Sequence, residues 1–257
     1  MEVLYLIFFV ILGLILGSFY NVVGYRLPNN MSIAFPASHC PNCNHKLGPL
    51  ELIPVFSYLF QLGKCKNCKQ KISIQYPIIE LLTGIMFGIS YWIFGMSVNL
   101  FIALILVSIV VIIFVSDIKY MIIPDQVIIA GIILIFICKC FEGIGTAFMS
   151  LLYGLVTFAV MFLIKIIGDF VFKKESLGGG DIKFMFISGM CLGPIIGLSN
   201  IFLGSLIAFP IALLSVFLKK EHMIPYGPFL GIALLILFFF QVTPTMLYNI
   251  MLAMSIK

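Results

Sequence analysis

Two aspartates, Asp117 and Asp181, are the residues of this sequence best placed to do chemistry together. Asp117 comes just after the apolar run 101–115, and Asp181 closes the glycine triplet 178–180 before another apolar run. A carboxylate at a membrane segment is costly to keep charged and usually marks function. Two carboxyl groups held together can share one proton, so that one serves as base and the other as acid. The pair therefore favours hydrolysis of a peptide bond at a membrane face.

The composition is that of a membrane protein. The 257 residues are 62% hydrophobic and 10% charged, with a mean hydropathy of +1.21. A spanning helix needs about 20 apolar residues. The pattern predicts an all-α membrane protein with about eight transmembrane helices: 3–24, 77–94, 98–116, 125–141, 146–168, 182–197, 199–218 and 227–240. Residues 245–256 either extend the last helix or follow it.

The basic residues predict how these segments are oriented. With eight spans, thirteen Lys and Arg residues fall on one side and two on the other, and the richer side is expected to be cytoplasmic. The cytoplasmic group is Arg26, Lys46, Lys64, Lys66, Lys69, Lys71, Lys119, Lys165, Lys173, Lys174, Lys183, Lys219 and Lys220, and the outer group is Lys139 and Lys257. Both aspartates then lie on the cytoplasmic side. Loops facing anionic membrane lipid explain the net charge of +5 without a nucleic-acid partner.

One polar region, residues 25–76, separates the first two apolar segments and is predicted to be a cytoplasmic loop. It holds two C-x2-C pairs with 21 residues between them, Cys40 with Cys43 and Cys65 with Cys68. Paired knuckles of this kind supply four thiolates to a tetrahedral zinc ion. Because four thiolates leave no open position, the zinc is expected to be structural and to fold much of the loop.

Two other readings of this region are open. The cysteines could form two disulfides, although these are rare in the reducing cytoplasm. His39 and His45 flank the first knuckle and could each replace a thiolate, but four cysteines already complete the metal site.

Five blocks, in order along the chain, resemble the signature of type IV prepilin peptidases. They are GSFYNVVGYRLP at 17–28, the double-knuckle loop followed by YPIIELLTG at 76–84, DIK at 117–119 leading to IPD at 123–125, GGGDIK at 178–183, and IPYGPF at 224–229. The resemblance extends over nearly the whole chain. Tyr20 and Gly24 depart from the commoner leucine and isoleucine at their positions.

The resemblance implies a bacterial inner-membrane aspartic protease of the GxGD type. Such enzymes remove a short basic leader from prepilins or pseudopilins on the cytoplasmic side, and many then methylate the new N-terminal amine with S-adenosylmethionine. By position, Asp117 and Asp181 match the family's catalytic pair, and Asp125 matches a motif residue outside that pair. The expected domains are a first transmembrane helix (1–24), a zinc-binding loop with the methyltransferase part (25–76), and the peptidase bundle (77–257).

The local environments of the two aspartates are expected to differ. Asp117 lies at the C-terminal end of its predicted helix, where the helix dipole disfavours negative charge. Asp181 lies at a helix N-terminus, where an anion is favoured. This predicts that Asp117 holds the proton and Asp181 is ionised, although Asp181 could also be a simple N-cap and Asp117 a solvated interfacial carboxylate.

Three residues beside the polar loop are candidates for binding the methyl donor. Glu80 lies just inside the second segment, and Gly63 and Lys64 precede the second knuckle. Glu80 could equally be a favourable acid in a first helical turn, and Lys64 a solvated loop charge. Asp125, after Pro124, is predicted to cap its helix, with a role in orienting the aspartate pair as the alternative. Lys119 and Lys183, each two residues after a proposed catalytic aspartate, could tune the site, but are predicted to lie at the lipid headgroups.

A different class of function is also open. An ion transporter could use Asp117, Asp125 and Asp181 as an ion path, but transport sites tend to lie at the bilayer midplane between internal repeats, which this sequence lacks. A membrane adaptor carrying only a zinc ribbon would explain the cysteines but not the segment 178–181.

Overall fold

The computed structural model describes residues 1–217 and 224–255, and the described chain is helical throughout its apolar parts. Lys219, Lys220 and Lys257, three of the basic residues in the predicted charge pattern, lie outside the described residues. The long helices are α1 (Glu2–Arg26), α3 (Gln75–Phe94), α4 (Val98–Tyr120), α5 (Asp125–Glu142), α6 (Ile144–Phe172) and α8 (Pro194–Phe217). The shorter ones are α2 (Phe56–Phe60), α7 (Gly179–Leu192), α9 (Gly227–Phe239) and α10 (Pro244–Ser255).

The all-α prediction is confirmed, but the count of eight spans is not. Five helices of the described ranges are long and apolar enough to cross a membrane, namely Glu2–Asn29, Gln75–Phe94, Val98–Tyr120, Ile144–Phe172 and Pro194–Ser215. The helix α5 carries three charged residues, and α7 and α9 have 14 and 13 residues. At about 1.5 Å per residue these two are shorter than the roughly 30 Å hydrocarbon layer.

The break between the sixth and seventh predicted segments is at Gly193 and not at residue 198. Gly193 has a φ of +78° and donates its N–H to the carbonyl of Gly189, which closes α7. Pro194 then begins α8, where its missing N–H costs nothing. Residues 244–255 form a separate helix after the last predicted one, as one of the two alternatives stated.

The chain divides into two compact units, 1–96 and 97–257. In the first unit α1 packs against α3 through two G-x3-G pairs, Gly13 with Gly17 and Gly84 with Gly88. A Cβ on Gly13 would lie 2.7 Å from the carbonyl oxygen of Thr83. Glycines at these positions let the two helix backbones touch, which is the usual way for membrane helices to associate.

In the second unit α4 is the core helix. It is apolar on all sides, and residues along its whole length are buried, including Leu100, Ile113 and Asp117. A helix of this kind must be surrounded by others, and α5 and α9 pack against it, while α7 packs on α6, α8 and α9. Asp117 is thereby placed inside a helix bundle.

Candidate active site and metal centre

Asp117 lies in the last turn of α4, where the helix ends in a left-handed residue. Met121 has a φ of +54° and donates its N–H to the carbonyl oxygen of Asp117 at 2.8 Å, which closes the helix. The Asp117 side chain is turned into the second unit and is only 6% exposed. The alternative of a solvated interfacial carboxylate is therefore wrong for this residue.

The partner of Asp117 is the backbone of Gly227, the first residue of α9. Its N–H donates to Oδ2 of Asp117 at 2.9 Å. The first N–H groups of a helix have no partner inside the helix, and they point toward the position where an anion binds. A Cβ on Gly227 would lie 2.8 Å from the same carboxylate oxygen, so a larger residue here would displace the Asp117 carboxylate.

Asp181 lies in the first turn of α7 and is half-buried. The N-cap of that helix is Gly178, so the alternative that Asp181 is the cap is wrong. The charges of Asp117 and Asp181 interact, which places the two carboxyl groups within electrostatic reach of each other. The structure thus brings together the two aspartates that the sequence paired.

Ile123 connects the two halves of this site. A Cβ on Gly180 would lie 2.8 Å from the Cβ of Ile123, and a Cβ on Gly227 would lie 3.1 Å from its Cδ1. The glycine before Asp181 and the glycine bonded to Asp117 therefore both pack on the buried side chain of Ile123. The small residues at positions 180 and 227 set how closely α7 and α9 approach the end of α4.

Asp125 and Lys183 form an ion pair that the sequence did not predict. The Nζ of Lys183 donates to both carboxylate oxygens of Asp125, at 2.7 and 2.8 Å. The N-cap of α5 is Pro124, so Asp125 is not a capping residue. Lys183 thereby joins α7 to α5, and its placement at the lipid headgroups stays a prediction. Beside this ion pair is a cavity of about 260 Å³, lined by Asp125, Ile128, Ile129, Ile132, Phe158, Lys183 and Phe186.

In the first unit the four predicted metal ligands form one cluster. The Sγ atoms of Cys40, Cys43, Cys65 and Cys68 all lie within 4.8 Å of one another. The Sγ of Cys40 is 3.8 Å from that of Cys68, and the Sγ of Cys43 is 4.0 Å from that of Cys65. Zn–S bonds of about 2.3 Å in a tetrahedron put the sulfurs about 3.8 Å apart. These distances fit zinc and are too long for the disulfide alternative, for which S–S is about 2.05 Å.

The two knuckles have matching structures. In each, the N–H of the residue after the second cysteine donates to the carbonyl of the first cysteine, and that residue, Asn44 or Lys69, has a positive φ. Short antiparallel bridges close both turns, His39 with Lys46 and Lys64 with Lys71. The cysteine spacing therefore produces two similar hairpins whose sulfurs converge.

An asparagine of each knuckle reaches a sulfur of the other. The Nδ2 of Asn42 donates to Sγ of Cys68 at 3.6 Å, and the Nδ2 of Asn67 donates to Sγ of Cys43 at 3.6 Å. The backbone N–H of Gln70 and then the Asn42 amide lower the pKa of Cys68 to about 6. Such donors favour the thiolate, which is the form that binds a metal.

The two histidines beside the first knuckle are engaged elsewhere. The Nδ1 of His39 donates to the carbonyl of Ala37 at 2.9 Å, and Nε2 of His45 lies 3.1 Å from Oε2 of Glu51. The same Glu51 oxygen accepts the N–H of Gly48 at 2.9 Å. Gly48 first and His45 second lower the pKa of Glu51. His45 thus helps to fix the loop after the knuckle, and the four cysteines form the cluster without it.

Among the methyl-donor candidates, Glu80 is buried and bonded to the polar loop. Its Oε2 accepts the N–H of Val55 at 2.7 Å, and the Ser18 hydroxyl also bonds to its carboxylate. Val55 has a φ of +63°, which is strained for a β-branched residue. Glu80 therefore holds a strained turn of the loop against α3.

The other two candidates lie at the second knuckle. Gly63 is buried at a φ of +67°, and a Cβ there would lie 2.8 Å from the Tyr58 hydroxyl. Lys64 follows in the hairpin bridge with Lys71 and is exposed. Gly63 is thus needed for the shape of the turn, and the side chain of Lys64 is accessible.

Sequence reasoning missed the roles of Gly227, Asn42 and Asn67. Gly227 acts through its backbone, and only its place in the block IPYGPF could have drawn attention to it. The two asparagines occupy the same position in both knuckles, immediately before the second cysteine. This repeat was visible in the sequence and could have predicted paired donors.

Comparisons with known proteins place both units in families. Residues 11–94 match the bacterial peptidase A24 N-terminal domain, and residues 104–213 match the type IV leader peptidase family. These ranges fall within the first and second compact units respectively. No solved structure matches the chain significantly.

Curated relatives match over most of the chain. The "Prepilin leader peptidase/N-methyltransferase" of Bacillus subtilis is 36% identical over 85% of this chain and 87% of its own length. The protein of the same name from Vibrio cholerae is 33% identical over 93% and 98%, and that from Pseudomonas aeruginosa is 30% identical over 87% and 86%. These names give the ion-transporter alternative no support. The apolar helices and these relatives indicate a multi-pass protein of a bacterial inner membrane. The chain belongs to the type IV leader peptidase family.

Proposed function

We propose that this protein is an aspartic endopeptidase that removes the basic leader of prepilins or pseudopilins at the cytoplasmic face of the membrane. The observation that carries the proposal is the meeting of Asp117 and Asp181, from the end of α4 and the start of α7, inside one helix bundle. Each residue belongs to a block that resembles the family signature. The excess of basic residues on one side supports the cytoplasmic orientation.

The reaction needs one ionised and one protonated carboxyl group. The ionised group takes a proton from water as the water oxygen adds to the scissile carbonyl carbon, and the protonated group gives its proton to the carbonyl oxygen. The resulting gem-diol breaks down when the first group passes its proton to the leaving amide nitrogen and the second regains a proton from a hydroxyl. Each carboxyl ends in its starting form, as acid–base catalysis requires.

Substitution of each aspartate tests this function. We expect Asp117→Asn and Asp181→Asn to abolish release of the leader from a prepilin in detergent or liposomes, measured by mass spectrometry. Asp169→Asn is the matched control, because Asp169 is half-buried like Asp181 and its carboxylate accepts the N–H and the hydroxyl of Ser176 in the loop before α7. Asp125→Asn should reduce the rate less than the dyad variants, since Asp125 holds Lys183. Near-normal cleavage by either dyad variant would contradict the proposal.

We also propose that Cys40, Cys43, Cys65 and Cys68 hold one structural zinc ion. The sulfur–sulfur distances and the asparagine donors support it. When bound, zinc would tie the two knuckles together and supply folding energy to the loop. Elemental analysis of protein purified without chelator should find about one zinc per chain, as a four-thiolate site implies.

A second activity, methylation of the new N-terminal amine by S-adenosylmethionine, is proposed from the names of the relatives. Glu80, Gly63 and Lys64 remain the proposed residues for the methyl donor, within the loop and α3. Incubation with prepilin and S-adenosylmethionine, followed by mass spectrometry, should give a mature N-terminus heavier by one methyl group. Glu80→Gln should reduce methylation while leader release continues.

A further inference from the structure

The block IPYGPF at 224–229 ends against the carboxyl group of Asp117. We infer that the Gly227 amide fixes Asp117 as the ionised base of the aspartate pair and leaves Asp181 as the acid that carries the proton. Gly227 is then a positioning residue for catalysis. This inference rests on the proposed peptidase function. It reverses the assignment expected from the helix ends alone, in which Asp117 holds the proton and Asp181 is ionised.

The backbone N–H of Gly227 is positioned to donate a hydrogen bond to a carboxylate. Its N–H belongs to the first turn of α9 and has no partner within that helix, and it donates to Oδ2 of Asp117 at 2.9 Å. An N–H donor favours the charged form of a carboxyl group. The helix N-terminus adds its partial positive charge at the same point.

The segment before α9 is anchored so that this amide stays in place. The Tyr226 hydroxyl donates to the carbonyl of Ile201 at 2.9 Å and lies 2.8 Å from Oγ of Ser205. Both partners are on α8, one turn apart. Tyr226, which immediately precedes Gly227, is thereby bonded to α8, whereas Asp117 is on α4.

Asp181 has the opposite environment. Within residues 1–217 and 224–255 its carboxyl group receives no hydrogen bond from a protein donor, and it interacts electrostatically with the charge of Asp117. Two ionised carboxyl groups at such a site would repel each other, so one of them must be protonated. The proton stays on Asp181, because its carboxyl group has no hydrogen-bond donor among the described residues to stabilise the charged form. The Tyr226 hydroxyl interacts electrostatically with Asp181. Lys183, two residues after Asp181, is paired with Asp125, so the charges of these two side chains offset each other, and Lys119 follows Asp117 by two residues.

The test compares two glycines of the same helix. Gly227→Ala would put a Cβ 2.8 Å from Oδ2 of Asp117, whereas Gly231→Ala, one turn later, would put one 2.8 Å from a Val110 methyl group. The added methyl group is equally crowded at the two positions, but only Gly227→Ala displaces the Asp117 carboxylate from the amide that donates to it. For Gly227→Ala we expect kcat to fall at least tenfold with KM within twofold. The acid limb of the kcat/KM profile should move to higher pH, because the base has lost the bond that kept it ionised. Gly231→Ala should keep the wild-type limb.

A second variant applies if Gly227→Ala does not fold. Tyr226→Phe keeps the ring, adds no bulk and removes the two bonds to α8, so it should shift the same limb by a smaller amount. A shift of the basic limb instead would make Asp117 the acid, and an unmoved profile, or equal shifts for Gly227→Ala and Gly231→Ala, would show a packing effect. Either result overturns the inference. Active Asp117→Asn or Asp181→Asn protein would instead overturn the peptidase dyad itself.

Discussion

Burial disfavours the charge of both Asp117 and Asp181, so it does not decide which of them is ionised. Two further electrostatic effects act at Asp117, and they oppose each other. Its place in the last turn of α4 disfavours charge by about 0.3–1 kcal/mol. A hydrogen bond to a charged group is worth about 1.5–3 kcal/mol, and more of this is realised where water is excluded. The Gly227 amide therefore outweighs the dipole of α4. The sequence showed the helix end but not the amide, because the donor comes from a segment far along the chain.

The asparagines of the knuckles lead to a prediction about metal retention. Asn42→Ala and Asn67→Ala each remove one donor to a cysteine sulfur of the opposite knuckle. Loss of such outer partners typically weakens metal binding about 10–100-fold. We expect faster loss of zinc to a chromogenic chelator, with little change in the zinc content of freshly purified protein. Lys66→Ala, in the second knuckle, is the exposed control and should leave the release rate unchanged.

Glu51 leads to a prediction about pH. Its folded pKa is lowered by the Gly48 N–H and by His45, so its contribution to the loop is present above the unfolded pKa of about 4.3 and is lost as pH falls through the folded value. Glu51→Gln should therefore reduce hydrogen-exchange protection of residues 45–53 at pH 7. The difference from the wild type should shrink as the pH falls below about 4 and disappear once the pH is below the folded pKa of Glu51. A difference of equal size at both pH values would contradict this role.

At the scale of helices, hydropathy predicted where helices occur but not which of them are long enough to span. The helix α7 is short because it begins after Gly178 and ends at Gly193, and α9 begins only after the segment 224–226. Asp181 and Gly227 lie in the first turns that follow these breaks. Hydropathy averages over such breaks. The cysteine cluster was predictable because spacing alone defines it, whereas the contacts of Asp125 and Lys183 depend on how α5 and α7 pack.

The packing of α1 against α3 gives a prediction at this scale. Gly13→Ala would place a Cβ 2.7 Å from the Thr83 carbonyl oxygen and 2.8 Å from the Gly84 Cα, and backbone atoms cannot move aside. Overpacking of this kind costs about 1–3 kcal/mol. We expect a lower midpoint in denaturant or on heating, followed by circular dichroism. Gly145→Ala is the matched control, because a Cβ there meets nothing within 4 Å.

The whole chain consists of two units that correspond to two family domains, so the two proposed activities should be separable. Cys43→Ser breaks the four-thiolate set in the first unit, while Asp117 and Asp181 both belong to the second. We expect methylation to fall more than leader cleavage in this variant, with both products measured in one assay by mass spectrometry. Loss of cleavage to the same extent as methylation would mean that the second unit cannot act without the metal-binding loop.

The last prediction concerns how a substrate reaches the aspartates. Its basic leader must be in the cytoplasm while its apolar helix lies in the membrane, and the proposed dyad is at the helix ends that join these two environments. The cavity beside Asp125 and Lys183 is lined mainly by Ile and Phe side chains and adjoins the start of α7, which supports lateral packing of an apolar segment there. Such packing would hold the scissile bond still and so raise the rate.

We therefore expect kcat/KM for a full prepilin to exceed that for a soluble peptide of only the leader and cleavage site by at least tenfold. Because one carboxyl group must be ionised and the other protonated, both substrates should give a bell-shaped pH profile. Phe158→Ala, which enlarges a cavity that neither Asp117 nor Asp181 lines, should slow cleavage of the prepilin and leave cleavage of the peptide unchanged. Equal kcat/KM for the two substrates would show that the membrane helix of the substrate contributes nothing to positioning. A rate that is constant from acid to neutral pH would exclude the two-carboxyl mechanism.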